Sequence, residues 1–244
     1  MIRNEGPDSV AAILMEPVGG TSGAFPAPPG YFERVRDLCD EYDILLISDE
    51  VIAGFGRCGD WFGIEAEEVR PDMITFAKGV TSAYAPLAGV LVRDSLGDSL
   101  REEGIDVGQT FAGHPVACAA GVAAMDAYDD RLLDNARAVA PTLESELRGL
   151  AAHEEVCDVR GRGLLWGIEF ADPQTGDPFV DPWAGDEGDN PVMAVKQTAM
   201  DAGVLVGGGR PAFQLVVAPP LCADEEDVRE AVGVLDDAIS EVFE

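Results

Sequence analysis

Short apolar runs, each cut off by a polar or glycine-containing stop, constrain this chain more than any other feature. Ala11-Ala12-Ile13-Leu14-Met15 ends at Glu16-Pro17, Ile44-Leu45-Leu46-Ile47 at Ser48-Asp49-Glu50, and Met73-Ile74-Thr75-Phe76-Ala77 at Lys78-Gly79. Leu87 to Val92 gives a fourth run. Runs of this length without alternation predict strands buried on both faces. Between the first two, Pro29-Gly30 opens Tyr31 to Tyr42, where Phe32, Val35, Leu38 and Cys39 recur at helical spacing. Buried strands joined by helical crossovers predict an α/β fold with a mostly parallel sheet.

The pattern changes after residue 115. From Pro115 to about Leu150 it is helical, with an Ala-rich part followed by Leu132 to Leu150. Gly163 to Phe170, Val204-Leu205-Val206 and Phe213 to Val217 then read as strands, and Glu225 to Phe243 as a closing amphipathic helix. The stretch from Asp172 to Asn190, rich in Pro, Gly and Asp, predicts a surface loop. The division expected is a large domain over residues 1–125, a connecting helix over 126–152, and a small α+β domain over 153–244. Internal repeats are not evident.

Charge narrows the partners. Asp and Glu total 46 against 16 Lys and Arg, a formal net charge of -30. Such a surface repels nucleic acid and anionic membranes, so neither is expected as a partner. The acidic residues are scattered and form no tail, and Lys78 and Lys196 are the chain's two lysines. This pattern points to a halophilic, haloarchaeal cytoplasm, where salt screens the self-repulsion; a merely acidic mesophilic protein is the alternative. Cys39, Cys58, Cys118, Cys157 and Cys222 are odd in number and contain no C-x-x-C pair, so buried reduced thiols are expected rather than disulfides or a metal site. The first residues do not resemble a signal peptide, and no apolar run reaches the length of a membrane span. A cytoplasmic location is the expectation.

In open α/β sheets, ligands gather outside the carboxyl ends of the strands. Asp49 and Lys78 both stand at such ends, and the stretch between them is long enough for one crossover and a return strand. Two chemistries place a carboxylate after an apolar strand. Nucleotide hydrolysis would use Ile44 to Glu50 as a Walker B strand, but it needs a G-x-x-x-x-G-K-[ST] loop, and neither lysine sits in one. Pyridoxal phosphate chemistry pairs an Asp with the pyridinium nitrogen and a Lys with the cofactor aldehyde as a Schiff base. Taken singly, Lys78 also reads as a strand-end lysine extending into solvent, Asp49 as a helix cap, Val51 as core and Thr110 as an ordinary loop residue.

Four motifs in order favour the second chemistry. Asp49-Glu50-Val51-Ile52-Ala53-Gly54-Phe55-Gly56-Arg57 resembles the D-E-V-x-x-G-F-G-R signature of class III (ornithine/ω-amino acid type) aminotransferases. Ala77-Lys78-Gly79, followed by Tyr84-Ala85-Pro86-Leu87, is similar to its A-K-G companion. Glu16-Pro17-Val18 with Pro28-Pro29-Gly30-Tyr31 resembles the E-P-V … P-P-x-G-Y segment, and Thr110-Phe111-Ala112-Gly113-His114-Pro115 the T-F-x-G-x-P motif. The likeness runs from about Val10 to the C-terminus.

The resemblance implies a pyridoxal-phosphate-dependent transferase of fold type I, represented by part of its large domain and its small domain. It implies that Lys78 carries the cofactor and that Asp49 partners the pyridine nitrogen. Val51 would contact one ring face, and Thr110 would bind the cofactor phosphate of a neighbouring subunit, which makes a homodimer part of the site. Glu16 is implied at the site edge, near substrate. The implied reaction moves an amino group from an amine or ω-amino acid donor to a keto acid. Aminomutases and decarboxylases share the lysine–aspartate pair, and a non-catalytic remnant or a subunit needing a separate N-terminal half is a further alternative.

Two departures qualify the resemblance. Many members carry an arginine shortly before A-P-P-L; here Phe213 to Leu221 places Val216 there, so bidentate carboxylate recognition is lost unless Arg210 substitutes. The chain also starts just before the Glu16-Pro17-Val18 segment. The expectation is therefore that the family's N-terminal half, with its Gly/Ser phosphate loop and ring-stacking aromatic, is absent, leaving the sheet with an open edge and exposed apolar surface.

Overall fold

The computed structural model describes residues 1–104, 107–181, 190–209 and 213–243. The chain divides into two compact units. Met1–Pro17, Ala27–Phe55 and Asp60–Arg131 form the first; Val18–Pro26, Gly56–Gly59 and Leu132–Glu244 form the second.

The first unit is built on a four-stranded sheet of β1 (Ala12–Met15), β2 (Leu45–Asp49), β3 (Met73–Phe76) and β4 (Gly89–Val92), in that spatial order. The pairs β1–β2 and β2–β3 are parallel, and β3–β4 is antiparallel. The expected α/β class and mostly parallel sheet are therefore present, with an antiparallel edge. Helix α1 (Tyr31–Tyr42) makes the first crossover and buries Phe32, Val35 and Cys39. It ends at Asp43, whose left-handed backbone (φ 54) a short polar side chain tolerates. Val35, Cys39, Ile44 and Leu46 form a core cluster with Ile13 and Met15 packed against it.

Side chains alternate along β2, so Leu46 and Ser48 are buried while Leu45, Ile47 and Asp49 are half-buried on the opposite face. That second face is not covered as the apolar runs predicted. Leu14 and Val90, in register with Ile47 and Thr75, are 58% and 51% exposed. Helices α2 (Asp94–Glu103) and α3 (Pro115–Ala127) complete this unit.

One buried carboxylate ties its elements together. Asp72, just before β3, accepts from Leu46 N at 2.7 Å and from Arg36 of α1 at 2.9 Å, and it pairs with Arg93 after β4 at 2.5 Å. Burial alone would raise its pKa. The Leu46 N–H and the two guanidiniums outweigh burial and hold the carboxyl below its ordinary range.

Where a helix was expected over 126–152, α3 runs into a π-turn at Tyr128–Leu132, then α4 (Leu133–Gly149), then a 3-10 turn at Leu150–Ala152. The second unit is α+β. Its sheet has the order β5 (Val156–Arg162), β6 (Leu165–Phe170), β8 (Gln214–Val217), β7 (Gly207–Gly208), all antiparallel. Helices α5 (Pro191–Asp201) and α6 (Glu225–Phe243) join α4 around a core that includes Leu143, Leu147, Ile168, Phe170, Leu215 and Leu235.

Strand β5 was not expected. Arg160-Gly161-Arg162 belongs to this strand, and Gly163 and Leu164 make the turn into β6, Gly163 at φ +60. A Cβ at Gly163 would stand 2.5 Å from the Cys58 carbonyl carbon, so glycine is required there for space as well as for backbone conformation. Val204 to Val206 is not a strand; pairing begins three residues later, where Gly207 and Gly208 meet Val216 and Leu215. Cys39 and Cys58 are buried, but Cys118, Cys157 and Cys222 are exposed, so burial explains two of the five thiols. No helix among the described residues is long and apolar enough to cross a membrane.

Candidate active site

Three of the sequence-predicted residues stand at the carboxyl ends of three neighbouring parallel strands. Glu16 follows β1, Asp49 ends β2, and Lys78 follows β3 after one intervening residue. The register continues the grouping, since Met15 pairs with Ser48 and Asp49 with Thr75. The parallel sheet thus aims these residues at one edge, where α/β sheets bind ligands.

Local bonds set each one. Asp49 Oδ1 accepts the Val51 N–H at 3.1 Å, an Asx-turn that leads the chain off the strand. Among the described residues, no hydrogen bond engages Asp49 Oδ2. Val51 is half-buried beside it, and Glu16 is half-buried. Lys78 is exposed and begins a 3-10 turn, Lys78–Thr81, with its own backbone at φ 40. A lysine in that left-handed region is strained, and such strain concentrates at functional positions.

The turn is pinned from both sides. The Tyr128 hydroxyl donates to Gly79 O at 2.5 Å, and Thr81 Oγ1 to Ala85 O at 2.6 Å. A Cβ on Gly79 would lie 2.8 Å from the Phe55 Cβ, so the loop after Lys78 sits directly on the loop after Asp49. Phe55 in turn packs edge-on against Phe62 and Phe76.

Glu50 was not singled out by sequence. It is fully buried, and burial pushes its carboxyl above the usual range despite hydrogen bonds from Ile64, Gly63 and Ser48. The available signal was its place directly after Asp49, at the point where the chain leaves β2.

Other expected residues lie apart. Thr110 is exposed in the turn before α3, and among the described residues no hydrogen bond ties it to Glu16, Asp49 or Lys78. Val216 is half-buried in β8, and Arg210 lies outside the described residues. Arg57 is structural: its Nη1 donates to Leu164 O at 3.0 Å and Pro219 O at 2.6 Å. Tyr84 is 89% exposed. His153 pairs with Asp236 at 2.7 Å. Among the described residues, no group of three or more His, Cys, Asp or Glu side chains is arranged to hold a metal.

Residues 1–239 match the aminotransferase class-III family. The chain belongs to this family. A probable aminotransferase of Mycobacterium tuberculosis is 42% identical over 233 residues, which cover 93% of this chain and 49% of the relative. The diaminobutyrate–2-oxoglutarate transaminase of Halomonas elongata is 38% identical over 256 residues, covering 99% and 52%. An aminotransferase of Vibrio fluvialis, solved in a PMP-bound form, has a TM-score of 0.91 at 31% identity, covering 99% of this chain and 53% of that one. This class-III aminotransferase chain therefore spans about half the length of the relatives it matches. Its fold is that of solved transaminases over the part it covers.

Proposed function

We propose that this chain carries the cofactor lysine and its aspartate partner in a pyridoxal-phosphate-dependent transaminase. The observation that supports it best is the placement of Lys78 and Asp49 at the ends of adjacent parallel strands, their loops in contact through Gly79 and Phe55. The donor set fits the cofactor: an exposed primary amine, a carboxylate oxygen without a partner among the described residues, and an apolar side chain beside it.

When bound, pyridoxal phosphate supplies an electron sink for a carbanion at the substrate α-carbon. Lys78 would hold the cofactor and, as a free amine, would move the proton at the substrate α-carbon. Asp49, through Oδ2, would stabilise a proton on the cofactor's ring nitrogen. Val51 would supply an apolar contact to the cofactor ring. Glu16, at the end of β1, meets the substrate. Residues 1–125 then act as part of the large cofactor-binding domain and 153–244 as the small domain.

The proposed donor is an amine or ω-amino acid and the acceptor a keto acid. A valine at position 216 offers no guanidinium for a donor carboxylate, which supports donors that need none. Asp49→Ala is expected to retain covalent pyridoxal phosphate but to lose amine transfer by about 10²-fold or more. Single-turnover spectroscopy with an amine donor checks this, and wild-type turnover in that variant removes Asp49 from the reaction.

The assembly proposed is a homodimer in which Thr110 reaches the partner's cofactor phosphate. Helix α3 is apolar yet buries only Ala117 and Gly121, leaving Val116 and Val122 at 68% and 62% exposed beside Phe111 at 79%. Exposed apolar surface of this kind marks an interface. Val122→Asp is expected to shift the sedimenting species from dimer to monomer without lowering the thermal midpoint.

A high-salt cytoplasm completes the proposal, on the net charge of -30. Raising KCl from about 0.1 M to about 1 M shortens the Debye length from about 10 Å to about 3 Å. The thermal midpoint is expected to rise over that range, and a fall would argue for an ordinary acidic protein.

A further inference from the structure

We propose that Glu50 is the positioning residue of this site, its buried carboxylate gathering the three strand ends that carry Glu16, Asp49 and Lys78. The role rests on the reading of those residues as the cofactor site. Glu50 is 0% exposed, and among the described residues it has no cationic partner. Its oxygens are filled by three donors instead. Ser48 Oγ and Ile64 N reach Oε1 at 3.0 and 2.9 Å, and Gly63 N reaches Oε2 at 2.8 Å.

An unpaired carboxylate is a costly way to fill buried space. It persists where nothing cheaper accepts at both oxygens, and a glutamine does not. Whichever way its amide is turned, the NH₂ faces the N–H of Gly63 or of Ile64, donor against donor.

The backbone of Glu50 and the segment it grips reach all three strand ends. Glu50 N donates to Thr75 O at 2.9 Å, on the strand leading to Lys78, and Glu50 O accepts from Gly54 N at 3.1 Å. Gly63, held by Oε2, is so close to Ala53 and to Pro17, the residue after Glu16, that a Cβ would stand 2.9 and 3.1 Å from their side-chain carbons. Asp49 is the last residue of β2 and Val51 begins the turn closed by the Val51 N–H to Asp49 Oδ1 bond, so Glu50, held at its backbone N and O and at both carboxylate oxygens, is the fixed point between the two.

The test compares Glu50→Gln with Asp72→Asn, a second buried carboxylate at the opposite, amino-terminal end of the same strands. Both are expected to lower the thermal midpoint. In Glu50→Gln, affinity for added pyridoxal phosphate is expected to fall about 10-fold to 100-fold, the penalty of a misplaced contact group, against about twofold in Asp72→Asn. In the cofactor-free chain, hydrogen exchange at the Val51 amide, which Asp49 accepts, is expected to quicken about 10-fold in Glu50→Gln only.

Equal losses in the two variants, or an unchanged Val51 amide in Glu50→Gln, overturn the proposal. If the wild type takes up no pyridoxal phosphate, the cofactor reading fails by itself and the exchange measurement still decides the role of Glu50. Should Glu50→Gln not fold, Ser48→Ala removes one donor; a smaller change of the same sign supports the role, and no change refutes it.

Discussion

Lys78→Ala and Lys78→Gly are both expected to abolish covalent pyridoxal phosphate and to reduce amine transfer by about 10³-fold or more, as loss of a positioned acid–base group does. Their stabilities should differ from each other. Lys78 holds φ 40, a region that costs a residue with a Cβ about 1–2 kcal/mol and a glycine little. Its side chain is exposed, so removing it forfeits little packing. Glycine is therefore expected to raise the unfolding free energy by about 1 kcal/mol while removing the chemistry, and alanine to leave it near the wild-type value. Denaturant unfolding of the three proteins in high salt checks this. A glycine variant less stable than the alanine one would mean that the backbone strain is absent.

Asp72→Ala is expected to cost the first unit about 3–5 kcal/mol, the range for removing one partner from a buried ion pair. The side chain is 2% exposed and holds Arg36 and Arg93, whose side chains are 18% and 44% exposed, besides the Leu46 N–H. Removing it leaves the Leu46 N–H and Arg93 without this acceptor and Arg36 with Asp40 alone. Domain stabilities are typically about 5–15 kcal/mol, so the variant should melt far earlier or not fold.

The pH dependence follows from the direction of the shift. The folded carboxyl lies below its unfolded value of about 3.9, so its stabilisation is complete above that pH and disappears as pH falls through the lowered folded value. The stability gap between wild type and Asp72→Asn should be constant near neutrality and close below about pH 4. A gap that persists into strong acid would show that the charge does not carry the effect.

Most of the scaffold was readable because its signals are local. The apolar runs before Glu16, Asp49 and Lys78 are strands, and helical spacing placed α1 and α6 at Tyr31–Tyr42 and Glu225–Phe243. Strand β5 was hidden because charged residues interrupt it. Arg160 is nine-tenths buried only because Asp158 and Glu169 neutralise it and the Phe25 ring lies 3.6 Å beneath its guanidinium. Asp158 stands two residues away on the same strand, but Glu169 lies on the paired strand and Phe25 far off in sequence, so the burial of Arg160 has no local signal. The antiparallel entry of β4 was likewise invisible, since an apolar run carries no direction.

At the candidate site, the strand-end positions of Asp49 and Lys78 were legible from the apolar runs before them, and Glu16 came with the family resemblance. Glu50 was not legible, because its carboxylate acquires meaning only when Gly63 and Ile64 fold back onto it. The proposed role of Thr110 rests on its motif alone, since a contact with a neighbouring subunit would leave no mark within one chain.

If Lys78 holds the cofactor, a chain with two lysines permits an unusually clean test of it. The protein is incubated with pyridoxal phosphate in high salt, reduced with borohydride, digested and mapped by mass spectrometry. A stable pyridoxyl label is expected on Lys78, lost in Lys78→Ala, with Lys196 and the N-terminus unlabelled beyond background. A label confined to Lys196, or no label on any amine, would contradict it.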